Sequence, residues 1–483
     1  MKDMLTANSI APIKDAYYNA LAAKAGPVVK KALNVANWTP VDSAGIGDLY
    51  WYWNNAAIFN TDTWNQFNNV MQYNPDGYLQ PTGGATLNTA LFNLYTAMSY
   101  ELTAADQNAL DAANMKAAGI LNTVVTDYTS MFGAIPPANS ATASAKLLYV
   151  TEQILGWGAQ GLTLATFRSS TNPTSLLPNA PLGSGKLVSD FMTYLSQTAT
   201  AATVQNAVNS YNAQIAQCAK NLSPTPATAT PGWMSAQDSN GTASILPTLT
   251  IAEPTSQIQS ALQGNQGFDI SMSVTQIDQS TSSVAIDGGA GASGWIDWFQ
   301  ISAGASASYN AFSFDSSVTQ VDLTLSFKGV TKFTPLLSSS AYDIGTGAGW
   351  WNPTLIKDAA NNDGSSSGVA FTTPQHYDFS SNGDFGVLDV MLICQMPSIT
   401  MVFHNANESA FKSHFSQKSS WSVSFLGIPL AGGSQSYESS TYHYDKTAGT
   451  VTVTMTPPPA YIAGNIMTSQ AYVLGADCVW PGA

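Results

Sequence analysis

Apolar residues recur at every third or fourth position through the first half of this chain and at every second position through much of the rest. The first pattern predicts amphipathic helices and the second half-buried strands. Residues 11–36 carry a helical stripe that ends near Asn37. Over 86–101, Leu87, Leu91, Leu94, Tyr95 and Met98 fall on one helix face. Thr103-Ala-Ala-Asp then opens a further helix as a capping box with Asp in place of Glu. Leu110, Met115, Ile120, Leu121, Val124, Val125 and Tyr128 continue its apolar stripe, and Gly133 and Pro136-Pro137 end it. More helices are expected over 144–167, 186–197 and 202–222. Their polar faces are mostly Ala, Asn, Gln and Thr, which form few ion pairs, so these helices need packing into a bundle.

The pattern changes after residue 222. Ser-Pro-Thr-Pro-Ala-Thr-Ala-Thr-Pro-Gly begins at Ser223, and Pro247 closes the run, which reads as a linker. Beyond it Phe268, Ile270, Met272 and Val274 alternate with polar residues, as do Val321, Leu323, Leu325 and Phe327, and again Val451, Val453 and Met455. The expected fold class is α+β and multidomain. An all-α helical bundle over 1–222 and a Pro-rich linker over 223–247 precede an antiparallel β-rich domain over 248–483, a sandwich or a long curved sheet.

Two segments combine strict alternation with small or hydroxylated residues on the polar side. The first follows the glycine-rich stretch from Gly288 to Gly294. It carries Trp295, Trp298, Phe299, Ile301, Tyr309, Phe312 and Phe314, with Ser302, Gly304, Ser306 and Ser308 between apolar or aromatic positions. The second, over 409–444, sets Trp421, Val423 and Phe425 against Ser420, Ser422 and Ser424. It then reaches an apolar tip with Leu426, Ile428 and Leu430. Such hairpins suit lipid on one side and water on the other. An ordinary Ser-rich antiparallel sheet has the same alternation.

Composition narrows the function classes. Charged residues make up 10% of the chain, against roughly 25% in ordinary soluble domains. Ten Lys/Arg stand against twelve Asp/Glu up to residue 230, and six against eighteen beyond it, within a net charge of −14. Arg168 is the single arginine, so neither nucleic acid nor an anionic membrane surface suits as an electrostatic partner. The N-terminus lacks an apolar signal core, and no run of 18 apolar residues occurs. The longest candidate, 387–402, is interrupted by Asp389, Gln395 and Pro397. Synthesis in the cytoplasm without a signal peptide, with release by lysis or a non-classical route, is the expectation.

Enzyme signatures fail on inspection. Around Gly185-Lys186, the P-loop's first glycine is Ala180 and its Ser/Thr is Leu187. A calcium loop centred on Gly364 places Ala359 and Ala370 at ligand positions. The glycines from Gly288 approach Rossmann spacing, but no helical pattern follows them, and no GxSxG elbow is present. His376, His404, His414 and His443 lack metal-ligand spacing, and Cys218, Cys394 and Cys478 read as buried thiols, with a Cys394–Cys478 bridge as the alternative. No cofactor, metal or catalytic residue is assigned.

These features fit a pore-forming, toxin-like protein, a likeness of architecture only. Its expected partners are a target membrane or membrane receptor and further copies of itself in the active state. A self-assembling structural or adhesive protein stays open on the low charge. A glycan-binding module stays open on Trp350, Trp351, Tyr442 and Tyr444.

Overall fold

The computed structural model describes residues 7–40, 49–52, 59–74, 77–223, 225–238, 241–276, 284–287, 293–294, 299–302, 308–310, 317–415, 422–425, 428–429, 439–457 and 468–483. Helices and antiparallel sheets are both extensive, which makes the fold α+β. Two compact units form, each discontinuous in sequence. Met1–Thr96, Gln217–Lys357 and Pro374–Ala483 make the first, and Ala97–Ala216 with Asp358–Thr373 make the second.

The first unit begins with helix α1 (Ala7–Ala32), which buries Tyr18, Leu21, Ala25 and Val29 along one face. The strands that carry the argument are β1 (Gly267–Gln276), β2 (Val284–Asp287), β3 (Ser293–Gly294), β4 (Phe299–Ser302), β5 (Ser308–Asn310) and β6 (Gln320–Lys328). They continue with β7 (Gly386–Cys394), β8 (Ser398–His404), β9 (Ser422–Phe425), β10 (Ile428–Pro429), β11 (Ser439–Asp445), β12 (Thr450–Thr456) and β13 (Thr468–Val479). Among the described residues, one sheet has the order β3-β2-β1-β6-β8-β12-β11. Its alternation has a direct cause. Val321, Leu323, Leu325 and Phe327 are buried, as are Ile399, Met401, Phe403, Val451, Val453 and Met455, and all join the face of α1 in one core. The other face is rich in hydroxyls: Ser271, Thr324, Thr400, Thr454 and Thr441 stand opposite one another across five strands.

A second sheet is built on β13 and β7, with residues 69–73 and 79–86 beyond β7. Its two central strands are buried on both faces. Leu392, Cys394, Tyr472 and Leu474 enter the first core, whereas Met391, Ile393, Val473 and Cys478 enter a second with Trp64, Phe67 and Phe333. This explains the long apolar run over 387–402: it is a doubly buried strand, a turn and a half-buried strand. Near that core the chain reverses at Gly329 (φ +65°), where a Cβ would collide with the Leu262 carbonyl, so only glycine fits.

The stretch 223–247 lies within the first unit and contains paired strands. Residues 233–237 and 243–247 form an antiparallel pair with Trp233 opposite Pro247, and Trp64 Nε1 donates to the Pro247 carbonyl at 3.0 Å. Pro247 sits at the end of this pairing, where no ladder N–H is needed.

The second unit contains α2 (Ala104–Phe132), α3 (Ala143–Gly156) and most of α4 (Gly185–Leu222). Thr103 caps α2 by accepting the Asp106 N–H at 3.1 Å, and Gly133 (φ 86°) ends it. Val124, Tyr128, Val150, Ile154, Phe167, Leu187 and Phe191 share its core. Four expectations need correction. The 144–167 helix stops at Gly156, and a separate short helix covers Leu164–Ser169. The 86–101 helix stops at Thr96, and Met98–Glu101 becomes a strand paired with Gly368–Phe371. Residues 186–197 and 202–222 form one continuous helix, because the intervening Thr and Ala residues do not break it. Met115 on α2 is 73% exposed and is not part of the buried stripe.

Candidate functional site

Four adjacent strands of the first sheet begin or end in one transverse row. Thr275 of β1 lies opposite Gln320 of β6, Gln320 opposite His404 of β8, and His404 opposite Thr450 of β12. The β1-to-β6 connection (277–319) and the β8-to-β12 connection (405–449) therefore leave and re-enter the sheet at the same end. The second connection includes the edge strand β11, which runs back along β12 from Ser439 opposite Thr456 to Asp445 opposite Thr450.

Polar contacts tie this row together. His404 Nε2 lies 2.8 Å from Asp322 Oδ2. The Ser317 hydroxyl donates to the Asn405 carbonyl at 2.8 Å, and Asn405 Nδ2 donates to Thr319 Oγ1 at 2.7 Å. Asn405 sits at φ 58°, a left-handed value that Asn adopts more readily than most residues. Backbone N–H groups of Ala448 and Thr447, with His443 nearby, hold the Asp445 carboxyl below its ordinary range.

The two amphipathic segments meet each other. β4 pairs with β9, placing Phe299 opposite Phe425, Ile301 opposite Val423 and Ser302 opposite Ser422. β5 adds Tyr309 opposite Ile301, and β10 adds Ile428 opposite Phe425. Directly opposite residues share a face of an antiparallel ladder. Phe299, Ile301, Tyr309, Val423, Phe425 and Ile428 therefore occupy one face, and Gln300, Ser302, Ser308, Ser422 and Ser424 the other. Trp295, Trp298, Phe312, Phe314, Trp421, Leu426 and Leu430 lie outside the described residues.

The start of the second segment departs from the expected hairpin. Residues Glu408–Phe415 form helix α5, with Asn407 Oδ1 accepting the Ser409 N–H at 3.0 Å. Phe411 is fully buried with its ring centroid 4.6 Å from that of Phe403, and the Tyr442 hydroxyl donates to the Glu408 carbonyl at 3.1 Å. A local cap and one buried aromatic outweigh the weak alternation there.

The glycan-platform expectation is corrected for its tryptophans. Trp350 and Trp351 are only 3% and 9% exposed, and the Ser340 carbonyl accepts both backbone N–H groups at 2.8 Å. The Tyr95 hydroxyl donates to the Trp350 carbonyl at 2.9 Å. The area a Trp pair removes from water favours this burial. Tyr442 and Tyr444 pack partly buried against the first core.

Cys218, Cys394 and Cys478 are free and buried. Burial pushes the Cys218 thiol up to about 12 and raises the other two as well, with Asp477 adding to the effect at Cys478. Among the described residues, no group of three or more His, Cys, Asp or Glu is placed to hold a metal ion, and no helix is long and apolar enough to cross a membrane. No protein-family model, curated protein or solved structure matches this chain.

Sequence reasoning found the two segments but missed their partnership, the helix α5 and the His404–Asp322 pair. The spacing of Phe411 from an Asn407 cap was the one local signal available for α5.

Proposed function

We propose that this is a pore-forming, toxin-like protein that inserts segments 277–319 and 405–449 into a target membrane as β-hairpins. The observation that carries the reading is the coincidence of the two connections: they leave one end of one sheet, and their alternating parts pair with apolar positions on a common face. Straightened into hairpins, each connection supplies arms of roughly 20 residues, or about 65 Å at ~3.3 Å per residue. A bilayer's hydrocarbon core of about 30 Å needs only about 10 tilted residues per strand. Each arm is long enough to cross with residues to spare.

On this reading β1, β6, β8 and β12 form a long curved sheet that grows into the bilayer, and the second unit acts as a helical bundle that contacts the target. Extension of the β8–β12 pair requires β11 to peel from β12, where α5 and Tyr442 hold it. Release leaves a row of unpaired backbone groups on β12, which a second copy of the chain satisfies by strand pairing. The active state is therefore a homo-oligomer that works by insertion, not catalysis. Release from the producing cell proceeds by lysis or a dedicated route.

Electron microscopy with and without liposomes tests the proposal. Membrane-bound rings of uniform diameter are expected. Filaments formed without lipid indicate the self-assembling structural reading instead, and dispersed monomers on liposomes overturn the proposal.

A further inference from the structure

A compact apolar cap lies in the second unit. α2 ends at Met131-Phe132, and α3 ends against Trp157. The Phe132 and Trp157 ring centroids lie 5.5 Å apart. The loop before α4 closes on the same place. The Asn179 N–H donates to the Trp157 carbonyl at 3.0 Å, and a Cβ built on Gly183 would lie 3.9 Å from Met131 Cε. Leu182 stands at the apex of that loop with its whole side chain in water, while Phe132 and Met131 are 40% and 38% exposed. Turn bonds from Ala180 N–H to the Leu177 carbonyl and from Ser184 N–H to the Pro181 carbonyl, both 3.1 Å, hold the loop in this shape. Gly183, at φ +90°, makes the turn that presents Leu182 outward.

We infer that this cap is a membrane-docking tip whose occupant is the interface of a neutral, zwitterionic lipid bilayer. A fully exposed Leu on a loop that closes on Trp157 and Met131, with Phe132 beside Trp157, matches the residues that enter the headgroup and upper acyl region. A cap of so few side chains, only one of them fully exposed, falls short of the ~800 Å² per partner that a stable protein interface buries. A lipid surface needs no complementary shape. The charges agree: the neighbouring cation, Lys186, is held between the Asp127 and Asp190 carboxylates, which leaves little attraction for anionic headgroups. The inference rests on the membrane reading for its occupant and assigns the first contact to the second unit.

The test attaches an environment-sensitive nitrobenzoxadiazole dye to Leu182→Cys in the full chain, using phosphatidylcholine vesicles. The buried native thiols stay unlabelled. A blue shift and a several-fold rise in emission are expected on adding vesicles. The same dye at Asn108→Cys, about 36 Å away along α2 at 1.5 Å per residue, should stay unchanged. Leu182→Asp, an exposed change that leaves the core intact, should lower vesicle co-sedimentation by about tenfold or more. An unshifted dye, undiminished binding by Leu182→Asp, or binding only to vesicles that carry target-membrane proteins overturns the inference. Vesicle leakage without a dye shift defeats this proposal alone, whereas a dye shift without leakage defeats only the pore reading.

Discussion

Joining β4 to β9 covalently should leave both the folded protein and its insertion intact, because the pairing of Ser302 with Ser422 continues the register of Gln320 with His404 that lengthened β6 and β8 would keep. Ser302 and Ser422 are directly opposite in the register, so Ser302→Cys with Ser422→Cys makes the mildest change of side chain at a paired site. Opposite residues in such a ladder have Cβ atoms about 4.5–5.5 Å apart, against about 3.5–4.5 Å in a disulfide, a gap that a small strand shift closes. The bridge closes a loop of roughly 120 residues, for which chain entropy gives up to about 4.9 kcal/mol of stabilisation. That gain appears as a higher unfolding midpoint, and the bond holds two arms that stay neighbours when β6 and β8 lengthen. Dye release from liposomes is the assay. The oxidised variant should release dye at the rate of the parent protein, and adding dithiothreitol should leave that rate unchanged. Release that appears only after reduction refutes the lengthening of β6 and β8 in this register. Failure of the two thiols to bridge under oxidant, read by mass spectrometry, refutes the register.

Further outcomes follow from the same structure. Phe411→Ala empties a fully buried site under α5 and should cost about 3–5 kcal/mol by chemical denaturation. If α5 restrains β11, the same variant should release dye faster than the parent protein. Leu323→Ala, in the centre of the first core, should cost about 2–5 kcal/mol and lower the unfolding midpoint without shifting register. The three native thiols, raised by burial, should resist a disulfide reagent at pH 8 until denaturant is added; rapid labelling of the native protein contradicts their placement. The Asp106 carboxyl, held low by the hydroxyls of Ser367 and Thr103, contributes stability that is present above the ordinary carboxylate value of about 4. That contribution is lost as pH falls through its lower native value, so Asp106→Asn should flatten the acid-unfolding curve below about pH 4 and not above it.

What was legible in the chain was what local physics decides. The alternation of Val321, Leu323, Leu325 and Phe327 marks a strand with one buried face, and Thr103 with Asp106 marks a helix start because the cap is made by neighbours. Met98 misled for the same reason: it fits a helical stripe, yet pairing with Phe371, far along the chain, turns it into a strand. Trp350 and Trp351 looked like a surface platform because side-chain type alone does not reveal burial. The candidate site was half legible. Phe299, Ile301, Val423 and Phe425 could be chosen from their period, but the pairing of Ile301 with Val423 links residues more than a hundred positions apart. No local pattern encodes such a contact. It emerges only once β1, β6, β8 and β12 bring both connections to one end of the sheet.

Release of a trapped dye from phosphatidylcholine liposomes by the unmodified protein, followed across pH and with and without limited proteolysis, tests the membrane claim most directly. Insertion of the paired segments predicts rapid release that rises steeply with protein concentration, as assembly of several copies requires. Intact liposomes under every one of those conditions would contradict the account.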